Sequence, residues 1–370
     1  MSPLRVLLVE PDYYTKFPPL GLLKLSSYHK ERGDTVLGLV KGKAEPKKYP
    51  DRIYITSLFT WAWQPVHEAV YYYKKYYPDA EVWLGGLYAS LIPEHAKLCN
   101  PDKLFQGIFW EAENLRPDYE LLEEYMLKWD GSIIFSSRGC NNNCGFCAVP
   151  RLEGKVNSSK DSIRHLIYPK YSRIIFWDNN ILQSPTRDKI FDELEDLGLK
   201  ADFNQGIDAN LITEEIAKRL SRLKLDSGGG IKVRLAYDYA AKGPAVEKAI
   251  ERLNSVGING RRIMVYTLFN YAEDPENFLT RVKDILHWGA VCYPMRYEPN
   301  CALEKNKYVS PKWNAKRIDM VQKARRVIGF AGSFPPYRGL IDKFDSASGF
   351  DEAFELRPLE ESKCVAQSVV

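Results

Sequence analysis

Short apolar runs of strand length alternate with amphipathic patterns of helix length along most of the chain, and this alternation constrains the fold most strongly. Such alternation predicts a parallel sheet with helices on both faces. In the first part of the chain, strands are predicted at residues 5–10, 35–40, 52–58 and 81–86, with helices at 20–32 and 64–77. We therefore predict a Rossmann-like, doubly wound sheet there.

A second alternating series begins after residue 131. Its predicted strands lie at 132–140, 173–180, 201–207, 232–238, 262–270 and 290–299. Helical patterns between them lie at 186–197, 213–224, 244–256 and 275–288, with a less clear one at 160–168. Six such units suffice for a (β/α)6 partial TIM barrel, a fold in which ligands collect at the carboxyl ends of the strands.

The predicted fold class is α/β, and the predicted domains follow the two series. Residues 1–116 form the Rossmann-like domain, 117–131 a linker helix, and 132–300 the partial barrel. Residues 301–370 form a short helical C-terminal extension, with a helix near 311–328 and a polar, loosely held tail from residue 342.

Composition excludes several classes of protein. No apolar run approaches the roughly 20 residues that span a bilayer, and the N-terminus lacks the pattern of a secretory signal. The formal net charge of +4 is small for 370 residues, so a nucleic-acid partner is not indicated. We expect a cytoplasmic protein. Seven cysteines, an odd number without an export signal, argue for metal or redox roles rather than disulfides.

Three of these cysteines fall in one short segment directly after the first strand of the second series. The spacing is C-x3-C-x2-C, formed by Cys140, Cys144 and Cys147. Thiolates recurring every three or four residues can surround one face of a [4Fe–4S] cube, and a set of three leaves one iron open to a small molecule. The alternative is a structural zinc site completed by a distant Cys or His.

This motif resembles that of the radical S-adenosylmethionine (SAM) superfamily, in which an aromatic residue, here Phe146, precedes the last cysteine. The resemblance covers roughly residues 130–300. It implies a (β/α)6 partial barrel in which SAM chelates the open iron of the cluster, with Phe146 beside the cofactor. Reductive cleavage of SAM would then start radical chemistry on a substrate, with an external one-electron reductant such as flavodoxin or ferredoxin.

The resemblance also implies which residues contact SAM. Asp178, Asn179 and Asn180 occupy the place of the family motif that receives the SAM amino group, although helix N-capping is an alternative role for Asp178. Further polar residues at predicted strand ends are candidates for contacts with SAM or substrate: Asn204, Gln205, Asp208, Arg234 and Asp238, with weaker candidates at Asn270, Tyr271, Arg296 and Tyr297. A buried salt bridge is the alternative for Arg234.

The first domain resembles the cobalamin-binding domain that precedes many radical SAM cores. The matching segments are residues 17–23, Ser57 with Leu58, and the paired Gly85 and Gly86. The resemblance implies cobalamin contacts at Ser57, Gly85 and Gly86. The family's Asp-x-His-x-x-Gly element, whose histidine ligates cobalt, is missing, since His29 and His67 lie in predicted helices.

Three functions therefore remain open. The first is a radical SAM enzyme acting on an unidentified substrate, the second a cobalamin-dependent radical SAM methyltransferase, and the third an iron–sulfur scaffold or electron carrier without catalysis. Two further patterns carry alternatives. Cys292 and Cys301, with Cys99 or Cys364, could bind a second cluster, although Cys292 fits a core strand. The helix segment 70–77 could stack nucleobases or form a tyrosine-rich packing face.

Overall fold

The computed structural model describes residues 3–329 and 332–356. The chain is an α/β protein with parallel sheets, and the predicted fold class is confirmed at this level. It forms two compact units. The first contains the described residues up to Gln205 together with Glu298–Tyr308, and the second contains Gly206–Tyr297 and the residues from Val309 onward.

The first sheet of the first unit is entirely parallel, with strand order β2-β1-β3-β4-β5. Its strands are β1 (Arg5–Glu10), β2 (Thr35–Lys41), β3 (Arg52–Ser57), β4 (Glu81–Gly86) and β5 (Lys103–Leu104). The helices that accompany it are α1 (Leu20–Glu31), α2 (Trp63–Tyr76), α3 (Leu87–Leu91) and α4 (Pro93–Ala96).

Alternating side chains of this sheet enter two hydrophobic clusters, because successive residues of a strand point to opposite faces. Leu7 of β1 packs in a cluster with Val66 of α2, whereas Val6 and Leu8 pack in another cluster with Leu22 of α1. The sheet is therefore covered by helices on both faces.

The second sheet of the first unit is parallel, with strand order β10-β9-β6. In the sequence between β6 and β9, the strands β7 and β8 form a separate, small antiparallel pair. The elements of this region are α5 (Leu122–Tyr125), β6 (Gly131–Ile134), β7 (Ser137–Arg138), α6 (Val149–Leu152), β8 (Ser158–Ser159), β9 (Arg173–Phe176), α7 (Arg187–Leu197) and β10 (Lys200–Phe203).

The second unit contains a third parallel sheet, with strand order β11-β12-β13. Its elements are α8 (Glu214–Arg222), β11 (Val233–Ala236), α9 (Gly243–Ser255), β12 (Ile263–Phe269), α10 (Pro275–His287), β13 (Val291–Arg296), α11 (Ala315–Ile328), α12 (Arg338–Ser346) and α13 (Phe350–Phe354). Side-chain caps begin α8, α10 and α11, where Thr213, Asp274 and Asn314 accept hydrogen bonds from the first turn.

Four local predictions were wrong. The helical pattern at 160–168 contains only a single turn of 3-10 helix, Arg164–Leu166. The predicted strand 132–140 ends at Ile134 because the chain turns at Ser136, and the predicted linker helix shortens to α5. The part of the tail up to residue 356 is packed rather than loosely held, since Phe350 and Phe354 are buried against Phe278 of α10. Residues 357–370, including Cys364, lie outside the described residues. The Rossmann-like and partial-barrel layout and the domain boundaries stay predictions.

Candidate metal centre

The three clustered cysteines lie in a loop that leaves β7 and returns through α6 to β8. The loop is closed at its base, where the Cys140 amide donates to the Gly154 carbonyl at 3.0 Å. Inside it, the Cys147 amide donates to the Cys144 carbonyl at 3.0 Å, which forms a tight turn. The β7–β8 pairing and this turn together hold the three cysteines in one compact segment.

Gly139, the residue before the first cysteine, is required by the geometry of the loop base. Its φ of +82° lies in the left-handed region, which side chains other than glycine rarely adopt. A Cβ atom there would lie 2.1 Å from the Lys155 carbonyl oxygen. The two strands of the loop can therefore approach only because residue 139 is glycine.

The donor set of the loop fits a cluster. Cys140, Cys144 and Cys147 are half-buried and form no disulfide in the described part of the chain. Burial raises the pKa of Cys147, and the nearby Cys140 adds to the rise, while a hydrogen bond from the Val149 amide opposes it. An amide donor to sulfur is a contact typical of iron–sulfur sites.

The described residues contain no group of three or more His, Cys, Asp or Glu side chains that could hold a single metal ion. A structural zinc site needs its ligands gathered around one ion, whereas a four-iron cube holds its thiolates at separate corners and so farther apart. The zinc site and the iron–sulfur cluster therefore both stay predictions for these three cysteines.

Residues 178–183, which follow β9, form hydrogen bonds with the cysteine loop and with the turn that precedes it. The buried Asp178 carboxylate accepts four hydrogen bonds, from the amides and hydroxyls of Ser136 and Ser137, at 2.6–3.0 Å. Burial raises the pKa of Asp178 against these bonds. This carboxylate fixes the turn between β6 and β7, a role that the sequence did not predict. It does not cap a helix, because α7 begins only at Arg187.

Two further contacts from the same segment reach the loop. The side-chain amide of Asn179 donates to Glu153 Oε2 at 2.8 Å, and the same oxygen accepts a hydrogen bond from the backbone N–H of Gly139 at 3.1 Å. Gln183 accepts the Asn141 amide at 2.7 Å and donates to Asn142 Oδ1 at 3.1 Å. The residues that resemble a SAM-contacting motif thus also position the cysteine loop.

A buried ionic network ties the loop to the first sheet's helices. Arg138, two residues before Cys140, donates to both carboxylate oxygens of Glu113, at 2.8 and 2.9 Å. Lys24 of α1 donates to the same carboxylate at 2.7 Å, and Lys160 lies 3.9 Å from it. Arg138 also reaches Glu153 at 3.3 Å. A forked Arg–carboxylate pair is rigid, so the strand that enters the loop is fixed in place.

The electrostatics of this network follow from burial and pairing. Burial alone would raise the pKa of Glu113, but Arg138 and Lys24 outweigh it and lower the pKa to about 2. Burial lowers the pKa of Lys24 to about 8, partly offset by Glu113. Glu113 is therefore ionised at neutral pH, and its loss would leave buried cations without their counter-charge.

The other predicted site residues of the first unit lie around the same loop or on the neighbouring strand. The Phe146 carbonyl accepts a hydrogen bond from the Asn300 amide at 3.3 Å. Asn180 is buried directly before a single turn of 3-10 helix. Asn204 and Gln205 follow β10, which pairs with β9, and Gln205 donates weakly to Asn204 at 3.4 Å.

The predicted site residues of the second unit have separate local roles. Asp208 accepts the Asn210 amide at 3.1 Å and caps a turn. Arg234 donates to the Ser227 carbonyl at 2.8 Å. Asp238 is buried at the end of β11 and accepts the Leu268 amide at 3.1 Å. Burial raises the pKa of Asp238 to about 6.

Asn270, a weaker candidate, is buried and links the backbone at Tyr297 to the backbone at Ser310. Its φ of +63° is uncommon for a residue other than glycine. Its amide donates to the Tyr297 carbonyl at 3.3 Å, and its carbonyl accepts the Ser310 amide at 2.8 Å. The rings of Tyr271 and Tyr297 meet with centroids 4.5 Å apart. Arg296 ends β13 nearby in sequence.

The residues predicted to contact cobalamin do not fit a ligand cradle. The Ser57 hydroxyl donates to the Gly85 carbonyl at 2.7 Å and accepts the Ala89 amide at 3.1 Å. A Cβ on Gly86 would lie 2.2 Å from the Ser57 carbonyl oxygen, so this glycine serves packing between β3 and β4. The Ser57 side chain bonds to neighbouring backbone groups, and the Gly86 backbone packs against the Ser57 backbone, so neither is left to contact a ligand.

Three histidines that accompany the first sheet, His29, His67 and His95, are likewise engaged with neighbouring side chains. His67 lies 2.9 Å from the Tyr88 hydroxyl through Nε2, and His95 lies 2.5 Å from the same oxygen. His29 contacts Asp34 at 2.7 Å and Tyr54 at 3.0 Å. Burial and the neighbouring His95 lower the pKa of His67 to about 4.

Sequence reasoning missed the residues that support the loop: Glu113, Ser136, Ser137, Arg138, Glu153, Lys160, Gln183 and Asn300. One local signal was present, because Ser-Ser-Arg-Gly before Cys140 places polar residues where an apolar strand would continue. Glu113 lies in a loop far from the motif in sequence, and only the tertiary fold brings it to Arg138.

No protein-family model matches the chain, and no curated protein matches it. Eight chains of solved structures match it. One is coproporphyrinogen III oxidase (HemN) from Escherichia coli, described as a radical SAM enzyme, with 12% identity and a TM-score of 0.38 over 61% of this chain and 60% of that one.

A second is SuiB from Streptococcus suis bound to S-adenosylmethionine, with 15% identity and a TM-score of 0.36 over 71% of this chain and 61% of that one. The chain thus spans about three-fifths of the length of each of these proteins. Similarity at this level leaves family and activity to be proposed. Among the described residues, no helix combines the length and apolar character needed to cross a membrane.

Proposed function

We propose that this chain is a radical SAM enzyme whose [4Fe–4S] cluster is held by Cys140, Cys144 and Cys147. The observation that carries the proposal is the cysteine loop itself. Its three half-buried thiols lie in one closed segment, and its base is fixed by Gly139, Asp178 and the Glu113–Arg138 pair. A site fixed by surrounding contacts before its ligand arrives is what precise metal binding requires.

When bound, the cluster would supply the electron for reductive cleavage of SAM, with a flavodoxin- or ferredoxin-type protein as the electron source. The chain's own residues would orient the cofactor. Asn179 and Asn180 follow β9, and Asn204 and Gln205 follow the paired strand β10, so their polar groups come from neighbouring strand ends. We propose these four residues and Phe146 as the cofactor contacts within the first unit.

The remaining predictions enter the proposal unequally. Asp178 is left out as a SAM contact, because its carboxylate already accepts four hydrogen bonds. Asp208, Arg234 and Asp238 are kept as predicted ligand-binding residues and are described only within the second unit. The proposal keeps the Rossmann-like sheet followed by a (β/α)6 partial barrel, and a cytoplasmic location. Cobalamin is left out, because Ser57 and Gly86 serve packing.

The test is anaerobic reconstitution of the full chain with iron and sulfide, followed by dithionite reduction and mass spectrometry of the nucleoside products. We expect about four iron atoms per chain and 5′-deoxyadenosine as the product of SAM. Cys144→Ala should lose both. Cys301→Ala is the matched control, because Cys301 is exposed and lies outside the loop.

Two other product patterns would replace the proposal. S-adenosylhomocysteine together with retained corrin absorbance would indicate the methyltransferase. A stoichiometric cluster with no SAM binding by calorimetry would indicate the scaffold or electron carrier. Iron content that survives Cys144→Ala but not Cys301→Ala would show that the cluster lies elsewhere.

A further inference from the structure

The second half of α2, together with the residue that follows the helix, contains two tyrosine pairs. Tyr73 and Tyr77 are buried in the core of the first sheet. Tyr72 and Tyr76, one residue behind each of them, contact each other with ring centroids 4.7 Å apart. The Tyr76 side chain is 54% exposed. Tyr72 also packs, partly buried, against that core, so the packing interpretation of segment 70–77 accounts for three of these tyrosines but not for Tyr76.

The loop between β2 and β3 lies against this part of the helix. The Tyr73 hydroxyl donates to the Gly42 carbonyl and accepts the Ala44 amide, both at 3.2 Å. The ring of Tyr49 contacts that of Tyr77 at 5.2 Å, and Tyr49 is 38% exposed. These contacts bring a third partly exposed tyrosine from the loop to the helix.

Both segments are strongly basic. Residues 43–49 and 70–77 contain five lysines and one glutamate, a formal charge of +4 that equals the net charge of the whole chain. Lys43 pairs with Glu68 and Lys74 with Asp102. In the part of the chain that the structure describes, Lys47, Lys48 and Lys75 form no ion pair, and Lys75 lies 5.1 Å from the Tyr76 ring.

We propose that this tyrosine–lysine face, defined as Tyr49, Tyr72, Tyr76, Lys47, Lys48 and Lys75, binds single-stranded RNA. Lysines beside exposed aromatic rings are the combination that holds a phosphate backbone while its bases stack. The phenol hydroxyls also offer hydrogen bonds to a ribose 2′-hydroxyl. The low net charge of the chain concealed this site, because the remaining charges cancel.

The face belongs to the first sheet and its helices, so RNA binding needs neither the cluster nor SAM. The assignment goes beyond the proposed function and stands or falls separately from it. An RNA bound at this face would be held by the first unit, either as the substrate of the chain or as a regulator of its activity.

The test is fluorescence anisotropy of the full chain with a fluorescein-labelled oligouridylate. We expect an affinity that falls with salt at a log–log slope of about −2, since each of three lysine contacts contributes about 0.7. Tyr76→Ala should weaken binding about tenfold, because stacking on one ring is lost. Replacing Lys47 and Lys48 by Ala should weaken binding and reduce the slope.

Tyr71→Ala is the matched control. Tyr71 lies on the same helix with 53% exposure, but its hydroxyl bonds to the Leu98 carbonyl, away from the face. It should leave the affinity unchanged, and circular dichroism should show all variants folded. Absence of binding at low salt, or an equal loss in Tyr71→Ala and Tyr76→Ala, would overturn the proposal. Equal affinity for the corresponding deoxyoligonucleotide would overturn the assignment to RNA.

Discussion

The cysteine loop and the carboxyl edge of the first sheet are built in similar ways around a glycine. At Gly139 a Cβ would lie 2.1 Å from the Lys155 carbonyl, and at Gly86 it would lie 2.2 Å from the Ser57 carbonyl. In both places two backbone segments approach more closely than a side chain allows. The two regions differ in what surrounds that contact.

The loop that follows Gly139 carries three half-buried cysteines, and the nearby polar groups of Glu113, Arg138 and Asp178 bond to the protein around the loop. Beside Gly86 the Ser57 hydroxyl bonds to the Gly85 carbonyl and the Ala89 amide. A glycine-marked motif therefore indicates a ligand site only where the groups that would bind the ligand are not already used to hold the fold.

The largest effect should come from the matched pair Gly139→Ala and Gly86→Ala. Each should destabilise the chain by more than about 4 kcal/mol, because strain at positive φ adds to backbone overlap. Only Gly139→Ala should prevent the folded protein from binding iron on reconstitution. Iron per folded chain, measured beside denaturant unfolding, checks this, and equal iron loss in both variants would contradict the difference between the regions.

Glu113→Gln should have the next largest effect. The buried Lys24 would lose its carboxylate partner and Arg138 would keep only its longer contact with Glu153, which costs about 3–5 kcal/mol. Anaerobic urea unfolding measures the loss. Glu120→Gln is a suitable control, because Glu120 is exposed with only a distant ion pair at 3.9 Å. A similar stability of the two variants would show that the network does not support the loop.

Acidification should lower the free energy of unfolding because the buried, neutral His67 has a lowered pKa. The pKa of His67 is about 4 in the fold and about 6.5 when unfolded, so the unfolded chain binds more protons between these values. Stability contributed by neutral His67 is present above pH 6.5 and lost as the pH falls toward 4, by about 2 kcal/mol at pH 5. His67→Gln should lose less stability than wild type between pH 7 and 5. Identical pH profiles would contradict the burial of His67.

Ser57→Ala should have the smallest effect. Loss of the hydroxyl leaves the Ala89 amide without its acceptor, at a cost of about 1–2 kcal/mol. Thermal unfolding should show this decrease while cluster iron and corrin retention match those of wild type. A corrin bound by wild type and lost in Ser57→Ala would restore the cobalamin prediction.

Much of the fold could be predicted from the sequence because its signals are local. Strands β1, β4 and β13 and helix α10 lie within a few residues of their predicted positions. Failures occurred where tertiary contacts override a local pattern. The apolar strand predicted at 132–140 ends at Ile134 because the Asp178 carboxylate bends the chain at Ser136 and Ser137.

The residues of the site likewise fall into those that the local sequence indicates and those that only the folded structure brings together. The cysteines could be found because spacing is a property of the sequence itself. Glu113 could not, since its partner Arg138 is 25 residues away and the pairing exists only in the folded chain. Asp178 shows the limit of a motif, because its position agrees with the resemblance while its four hydrogen bonds give it a different role.

The most direct measurement is electron paramagnetic resonance of the dithionite-reduced, reconstituted protein before and after addition of SAM. Three protein thiolates leave one iron open to the cofactor, so SAM should shift the g-values of the wild-type cluster. Cys301→Ala should behave like wild type, and Cys144→Ala should lack the signal. A cluster spectrum that SAM leaves unchanged would contradict the account, because every iron would then be closed to the cofactor.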